Sequence, residues 1–259
     1  MANAELLQLL EQGVDSWNQW RESNPQAEVD LSNTAFIGWI FSGAQFQGVN
    51  FQGSDLSGVS LNGANLTGAN FSGARMFGAD LTHSTLDNAQ FVGSNLNRVD
   101  GQHASFQACN LQSAQLVGAE LAHANLTGAN LQNANLERAD LSRAVLKGTQ
   151  LQGANLSRAR AMHAILETAS LAQADLTDTR FNRANLTAVN LTAAIFDGTS
   201  FMGVNLSKAI LLDTKTGGAN LSGANLSEAV LPEREESPYV DPMSPDEYAD
   251  RALHDLLQK

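Results

Sequence analysis

The chain has 259 residues and a formal net charge of −12, with 43% hydrophobic and 16% charged residues. It contains no apolar run long enough to span a bilayer, and it lacks the basic N-terminal segment that begins a signal peptide. A single cysteine cannot form an intrachain disulfide, and the acidic balance argues against sequence-independent binding to nucleic-acid phosphates. We therefore expect a cytoplasmic protein that binds neither membranes nor nucleic acid directly.

The first predicted element is a helix. Apolar side chains recur at helical spacing over residues 4–22, at Leu6, Leu10, Val14 and Trp17. Pro25 follows the pattern and marks its end. We expect one amphipathic helix that covers the start of the next segment, where Trp39, with Ile37 and Ile40, offers an apolar landing site. The alternative is a helix that binds a partner.

A five-residue repeat follows the helix. From Leu31 to Leu231 every fifth residue belongs to one unbroken register of 41 positions, of which 37 are Leu or Phe. The residue two places earlier is small almost every time. A strand would turn successive Leu residues to opposite faces, and a helix would spread them around its circumference. The chain must therefore turn a corner once per unit, with both positions pointing inward, which predicts a coiled repeat.

Glycine supports this interpretation, because 18 of the 21 glycines lie two residues after the central Leu or Phe. A turning backbone favours glycine where φ is positive. Two central positions are small instead, Gly101 and Ala161, and we expect tighter packing or a cavity there. Cys109 occupies a small inward position, so we expect a buried structural thiol.

Individual units carry a family resemblance. Residues 64–68, 129–133 and 139–143 read ANLTG, ANLQN and ADLSR, and they resemble the units of pentapeptide-repeat proteins. The resemblance implies an all-β repeat solenoid, a right-handed quadrilateral parallel β-helix with four pentapeptides per coil, and thus about ten coils over residues 29–233. Residues 13–21 are similar to the leaders of cyanobacterial members of the family.

The chain beyond the repeat differs in composition. Residues 232–238 are acidic and proline-rich, and a short helix is predicted after Ser244. Its apolar side would include Tyr248, Leu253, Leu256 and Leu257. This helix is either a second lid, folded back near Ile195, Ile210 and Val230, or a docking or dimerisation helix. We divide the chain into an α-helical cap (1–28), a β-helix (29–233) and a linker with a C-terminal helix (234–259).

Arranging the repeat in rows of four pentapeptides places charged and imidazole side chains on one face. The candidate interaction face comprises Asp80, His83, Asp100, His103, Glu120, His123, Asp140, Arg143, His163 and Arg183, and its acidic column continues into Arg160 and Arg180. One interpretation is a solvated polar face of alternating signs. The others are a protein-binding strip and, least favoured, a metal site at His83, His103 and His123. Histidines beside acids would also make binding depend on pH.

No catalytic motif is present, and no nucleophile has an evident base, so we expect no enzyme activity, no cofactor and no metal. The function favoured is a protein-interaction scaffold or regulatory adaptor whose protein partner is unidentified. The alternative, from the same resemblance, is a DNA mimic that inhibits or protects a topoisomerase such as gyrase. DNA carries one charge per about 1.7 Å, whereas residues 29–231 hold 14 acids and 11 bases, a net charge of −3.

Overall fold

The computed structural model describes residues 4–231 and begins with two helices, α1 (Ala4–Glu11) and α2 (Val14–Ser23). The single helix predicted over residues 4–22 is therefore wrong, since the chain breaks at Gly13. Gly13 has a φ of 104°, a conformation that residues with a Cβ rarely adopt, and it redirects the chain between the helices. The apolar positions still contact the core, with Leu10 and Trp17 buried.

The repeat forms a coil held by isolated parallel bridges. Each bridge joins a residue to the one 20 positions later, from Asp30 with Asn50 to Ile210 with Val230. Twenty residues are four pentapeptides, as the family resemblance implies. Between residues 4 and 231 no strand is longer than one bridge residue. Backbone bonds join the coils, as where the Leu61 N–H donates to the Asp80 carbonyl at 2.7 Å.

Every pentapeptide contains a turn that makes the predicted corner. The Ala64 N–H donates to the Leu61 carbonyl at 3.0 Å, and Gly63 between them has a φ of 64°. A positive φ at the third residue is the signature of a type II turn. His83 adopts the same conformation with a φ of 58°, so a side chain at this position costs backbone strain but points outward.

The core consists of the central residue and the small residue two places before it, as predicted. Almost all of these positions are buried through the length of the coil. Buried hydroxyls in the small positions are satisfied by backbone, as where Ser54 donates to the Leu31 carbonyl at 2.8 Å. At Gly101 the core is filled by its neighbours, since a Cβ would lie 2.9 Å from Leu121 Cδ2 and 3.2 Å from Phe106 Cε2. Of the two outcomes expected at Gly101, tight packing is confirmed.

Helix α2 takes the place of a preceding coil at the N-terminal end. Trp17 Nε1 donates to the Gln45 carbonyl at 2.9 Å, and Asn18 Oδ1 accepts from the Gln45 N–H at 2.9 Å. Arg21 Nη2 donates to the Gln47 carbonyl at 2.9 Å. The equivalent groups of the next coil, at Asn65 and Thr67, bond to the backbone of the coil before them. Side chains of α2 therefore satisfy backbone groups at the end of the rod that would otherwise be unpaired.

The landing site predicted for this helix is wrong in two of its three residues. Ile37 and Ile40 are 63% and 75% exposed. The ring of Trp17 packs instead against Phe46, with the ring centroids 5.2 Å apart. Phe46 is a central residue of the repeat, so α2 lies over the open end of the core rather than over its side.

At the other end the last central residues, Leu226 and Leu231, are only partly buried. The predicted linker and the predicted C-terminal helix, with Tyr248, Leu253, Leu256 and Leu257, lie outside the described residues. Within residues 4–231 neither helix has the length and apolar character needed to cross a bilayer.

Candidate interaction face

Three histidines form an ordered stack on one face of the coil. The rings of His83 and His103 lie 5.1 Å apart at an interplanar angle of 5°, and those of His103 and His123 lie 4.8 Å apart at 10°. All three are exposed at the third residue of their turns. Arg143, His163 and Arg183 continue this column, each exposed and with a φ near 60°. The structure thus brings all six predicted residues of the column together.

The acidic residues lie in a neighbouring column on the same face. Bridges join Asp80 to Asp100, Asp100 to Glu120 and Glu120 to Asp140. The column then changes sign, because Asp140 bridges Arg160 and Arg160 bridges Arg180. Both arginines are identified by counting in steps of twenty along the sequence. Signs along the column are therefore segregated rather than alternating, and the choice between a solvated face and a protein-binding strip stays a prediction.

The carboxylates of this column mainly stabilise their own turns. Asp80 Oδ1 accepts the Thr82 N–H at 3.0 Å, and Asp140 Oδ1 accepts the Ser142 N–H at 2.9 Å. Such bonds are typical of Asx turns. Across residues 4–231, no ion pair joins a histidine of the stack to a carboxylate. Acid and imidazole thus share the face without direct pairing.

One ion pair lies at the point where the column changes sign. Arg160 Nη2 is 2.7 Å from Asp140 Oδ2. Burial alone would raise the pKa of Asp140, but the hydrogen bonds from Ser142 and the charge of Arg160 outweigh it, so the pKa is lowered. A lowered pKa in the folded state stabilises the fold above the unfolded pKa, and this contribution is lost as the pH falls through the folded pKa.

We expect Arg160→Met to raise the pKa of Asp140 toward its ordinary value, because the substitution removes both the charge and the hydrogen bond of Arg160. The measurement is a carboxyl NMR titration of both proteins. Arg75→Met is the matched control, since Arg75 pairs with Asp55 on another face. An unchanged Asp140 pKa in Arg160→Met would contradict the assignment of this ion pair.

We name the surface formed by the bridge, middle and turn positions of these coils the charged face. Its acidic half consists of residues 80–83, 100–103 and 120–123, which contain Asp80, Asp100 and Glu120 with no Lys or Arg, a net charge of −3 with neutral histidines. Its basic half consists of residues 140–143, 160–163 and 180–183, which contain Asp140 with Arg143, Arg160, Arg180 and Arg183, a net charge of +3. Methionines accompany the basic half, with Met162 36% and Met202 46% exposed. The five-residue register alone does not distinguish these methionines, and only the arrangement in columns of twenty identifies them.

Two further candidates are a metal site and the thiol of Cys109. No group of three or more His, Cys, Asp or Glu within residues 4–231 is arranged to hold a metal ion. Cys109 is 1% exposed, and its Sγ donates to the Leu86 carbonyl at 2.9 Å, which confirms the buried thiol. Burial is the main cause that raises the pKa of Cys109 to about 12.

A thiol held in this way does not react as a thiolate. We expect Cys109 to resist a thiol-specific reagent at neutral pH in the folded protein and to react quickly after denaturation in urea. The rate of release of the chromophore from Ellman's reagent measures both. Rapid labelling of the folded protein would contradict the burial of this side chain.

Comparison with known protein families identifies the repeat. A model described as pentapeptide repeats matches residues 27–63, 44–82, 139–178, 169–207 and 184–215. A second, described as a pentapeptide repeat region, matches residues 79–156. The matched residues together cover most of the chain without a gap between 27 and 215. The chain belongs to the pentapeptide repeat family. Pentapeptide repeat proteins fold as right-handed quadrilateral β-helices.

Solved structures of other pentapeptide repeat proteins resemble this one. HetL, involved in heterocyst differentiation regulation in the cyanobacterium Nostoc sp. strain PCC 7120, is 28% identical over 89% of this chain and 95% of its own, with a TM-score of 0.40. QnrB1, a plasmid-mediated fluoroquinolone resistance protein, is 18% identical over 70% of this chain and 88% of its own, with a TM-score of 0.49. No curated protein matches the chain. The family assignment rests on the repeat models.

Proposed function

We propose that this pentapeptide repeat protein is a non-enzymatic interaction scaffold or regulatory adaptor that presents flat ladders of side chains to a protein partner. In this proposal residues 1–28 cap a β-helix of about ten coils over residues 29–233, and residues 234–259 comprise an acidic, proline-rich linker and a C-terminal helix. The protein acts in the cytoplasm. No cofactor or metal takes part.

The charged face is the single observation that carries the proposal. Its side chains come from coils that are each bonded through their backbones to the coils on both sides, so they hold fixed spacings along the rod. The stacked rings of His83, His103 and His123 show this order directly. A rigid surface loses little conformational entropy when a partner binds, which favours recognition.

The lack of catalytic groups agrees with this function. Pentapeptide repeat families are generally structural or interaction proteins. The one thiol of the chain, Cys109, lies inside the core with a raised pKa. On the charged face Asp80 and Asp140 accept hydrogen bonds from the backbone of their own turns.

The C-terminal tail, residues 232–259, provides a second contact with the partner. Residues 232–259 contain eight acids and three bases, and the predicted helix carries Tyr248, Leu253, Leu256 and Leu257. We propose that this helix docks on the partner, or on a second chain, while the linker gives it reach.

Gyrase mimicry is the second candidate, supported by the run of carboxylates from Asp80 to Asp140. The bridged arginines Arg160 and Arg180 and the free Arg183 interrupt it, which disfavours an extended imitation of the DNA backbone. A gyrase supercoiling assay with the purified protein separates the two candidates. Inhibition or protection of gyrase at stoichiometric concentration would favour mimicry.

Affinity capture from the native cell lysate tests the scaffold function. The bait is the full chain, compared with Arg160→Glu/Arg180→Glu and with a chain that ends after Glu233. We expect the charge reversal to release the partner, and loss on truncation would show that the tail also contributes. A control variant, Arg75→Glu, changes charge on another face and should retain the partner. A partner retained by every variant would contradict the assigned face.

A further inference from the structure

The charged face carries opposite charges in two separate blocks, and few of these charges are paired within the chain. Among residues 4–231 no ion pair involves Arg143, Arg180 or Arg183, and none involves Asp80, Asp100 or Glu120. Asp140 with Arg160 is the exception, at the boundary between the halves.

This arrangement is unfavourable in an isolated molecule. Asp80 bridges Asp100, and Arg160 bridges Arg180, so like charges lie directly opposite each other in adjacent coils. Such pairs destabilise a sheet. A surface with the reverse order of charge would relieve the repulsion in both halves at once.

The flanks of the face differ from it in this respect. Arg158 lies 3.7 Å from Asp178 on one side, and Lys147 lies 3.3 Å from Glu167 on the other. These two flanking pairs join opposite charges across coils, whereas like charges follow one another along each half of the face.

The surface with the matching order of charge is the charged face of a second copy, turned end for end. A rotation of one copy by 180° about an axis perpendicular to the long axis of the rod brings the acidic half of each copy opposite the basic half of the other. A contact of this kind is isologous and closes as a dimer. We propose that the charged face binds the same face of a second copy of this chain in antiparallel orientation. The inference rests on the proposed function, because it uses the same surface.

Two features of the coil favour this partner over an unrelated acidic or basic protein. First, both copies have the same repeat of 20 residues per coil, so their charges keep the same spacing along the whole contact. Second, the middle position near the sign change is small, Ala122 and Ser142, so two faces can approach closely there. A partner of one charge sign would match only half of the face.

Sedimentation velocity of the full chain at about 50 mM and about 500 mM salt provides the first test, since charge pairs at a surface are screened over distances near 10 Å. We expect a dimer at low salt and dissociation at high salt. Two variants reverse the halves separately, Arg160→Glu/Arg180→Glu and Asp100→Lys/Glu120→Lys. Each alone should associate at least tenfold more weakly than the natural chain.

Mixing the two variants gives the decisive result. Each variant repels itself, yet the acidic face of one matches the basic face of the other, so the mixture should form a heterodimer at low salt. That dimer would also show that both variants are folded. Leu253→Asp/Leu256→Asp is the control for association through the predicted C-terminal helix, and it should leave the dimer intact.

A natural chain that stays monomeric at low salt, or a mixture of the variants that stays monomeric, would overturn the inference. So would a dimer that persists in both charge reversals and is lost in the C-terminal variant. These results would leave the scaffold function standing if the captured partner still depended on Arg160 and Arg180. If instead capture of the partner no longer depended on Arg160 and Arg180 while the mixed variants still formed a heterodimer, only the scaffold function would be contradicted.

Discussion

Trp17→Ala should destabilise the protein by about 3–5 kcal/mol, the range for removal of a large buried aromatic side chain. Trp17 is fully buried, its ring packs on Phe46, and its Nε1 donates to the Gln45 carbonyl. The substitution therefore opens the core at its N-terminal end and leaves a backbone acceptor unpaired. Urea unfolding followed by circular dichroism measures the loss. Hydrogen exchange should quicken first at the amides of the adjoining coil, around Gln45.

Trp20→Ala is the matched control for this prediction. Trp20 lies on the same helix, with its ring centroid 5.4 Å from that of Trp17, but it is only partly buried. We expect a smaller effect on the free energy of unfolding. An equal loss in the two variants would contradict the specific role of Trp17 at the end of the core.

Leu136→Ala should cost about 2–5 kcal/mol, because it leaves a cavity in the middle of the rod. Leu136 is fully buried and is held between coils on both sides. Leu226 occupies the same register position near the C-terminal end but is only partly buried. Leu226→Ala should therefore cost clearly less in the same urea experiment. Similar costs at the two positions would argue that the C-terminal end of the core is as closed as its middle.

Much of the fold is predictable because the five-residue period is nearly invariant. It places Leu61 and Ala64 inside, Gly63 at the corner and Asn65 in the bridge without any knowledge of the tertiary contacts. The central position recurs forty-one times in one register. The burial of Cys109 follows from that register alone.

The errors lie where the repeat gives no information. Helical spacing runs continuously from Leu6 to Trp17, so the break at Gly13 is visible only from its φ of 104°. The apolar character of Trp39, Ile37 and Ile40 predicts a landing site on the side of the coil. In the structure α2 instead pairs the backbone groups of Gln45 and covers Phe46 at the open end of the core.

The candidate face shows the same limit. Counting by twenties places Asp80 beside Asp100 and Arg160 beside Arg180, so the columns are predictable. Which charges are paired depends on side-chain conformation, and sequence does not determine it. The ion pair of Arg160 with Asp140, and the absence within residues 4–231 of one for Arg180, emerge only from the coordinates.

Hydroxyl-radical footprinting of the complex with the captured partner tests the central claim most directly. Met162 lies exposed on the charged face, beside the column that contains His103, and Met202 is exposed one coil beyond the basic half. Phe77 and Val92 are exposed elsewhere on the rod and serve as internal controls. The account predicts that Met162 and His103 are protected in the complex while Phe77 and Val92 remain reactive. Protection of Phe77 and Val92, with Met162 and His103 unchanged, would contradict it.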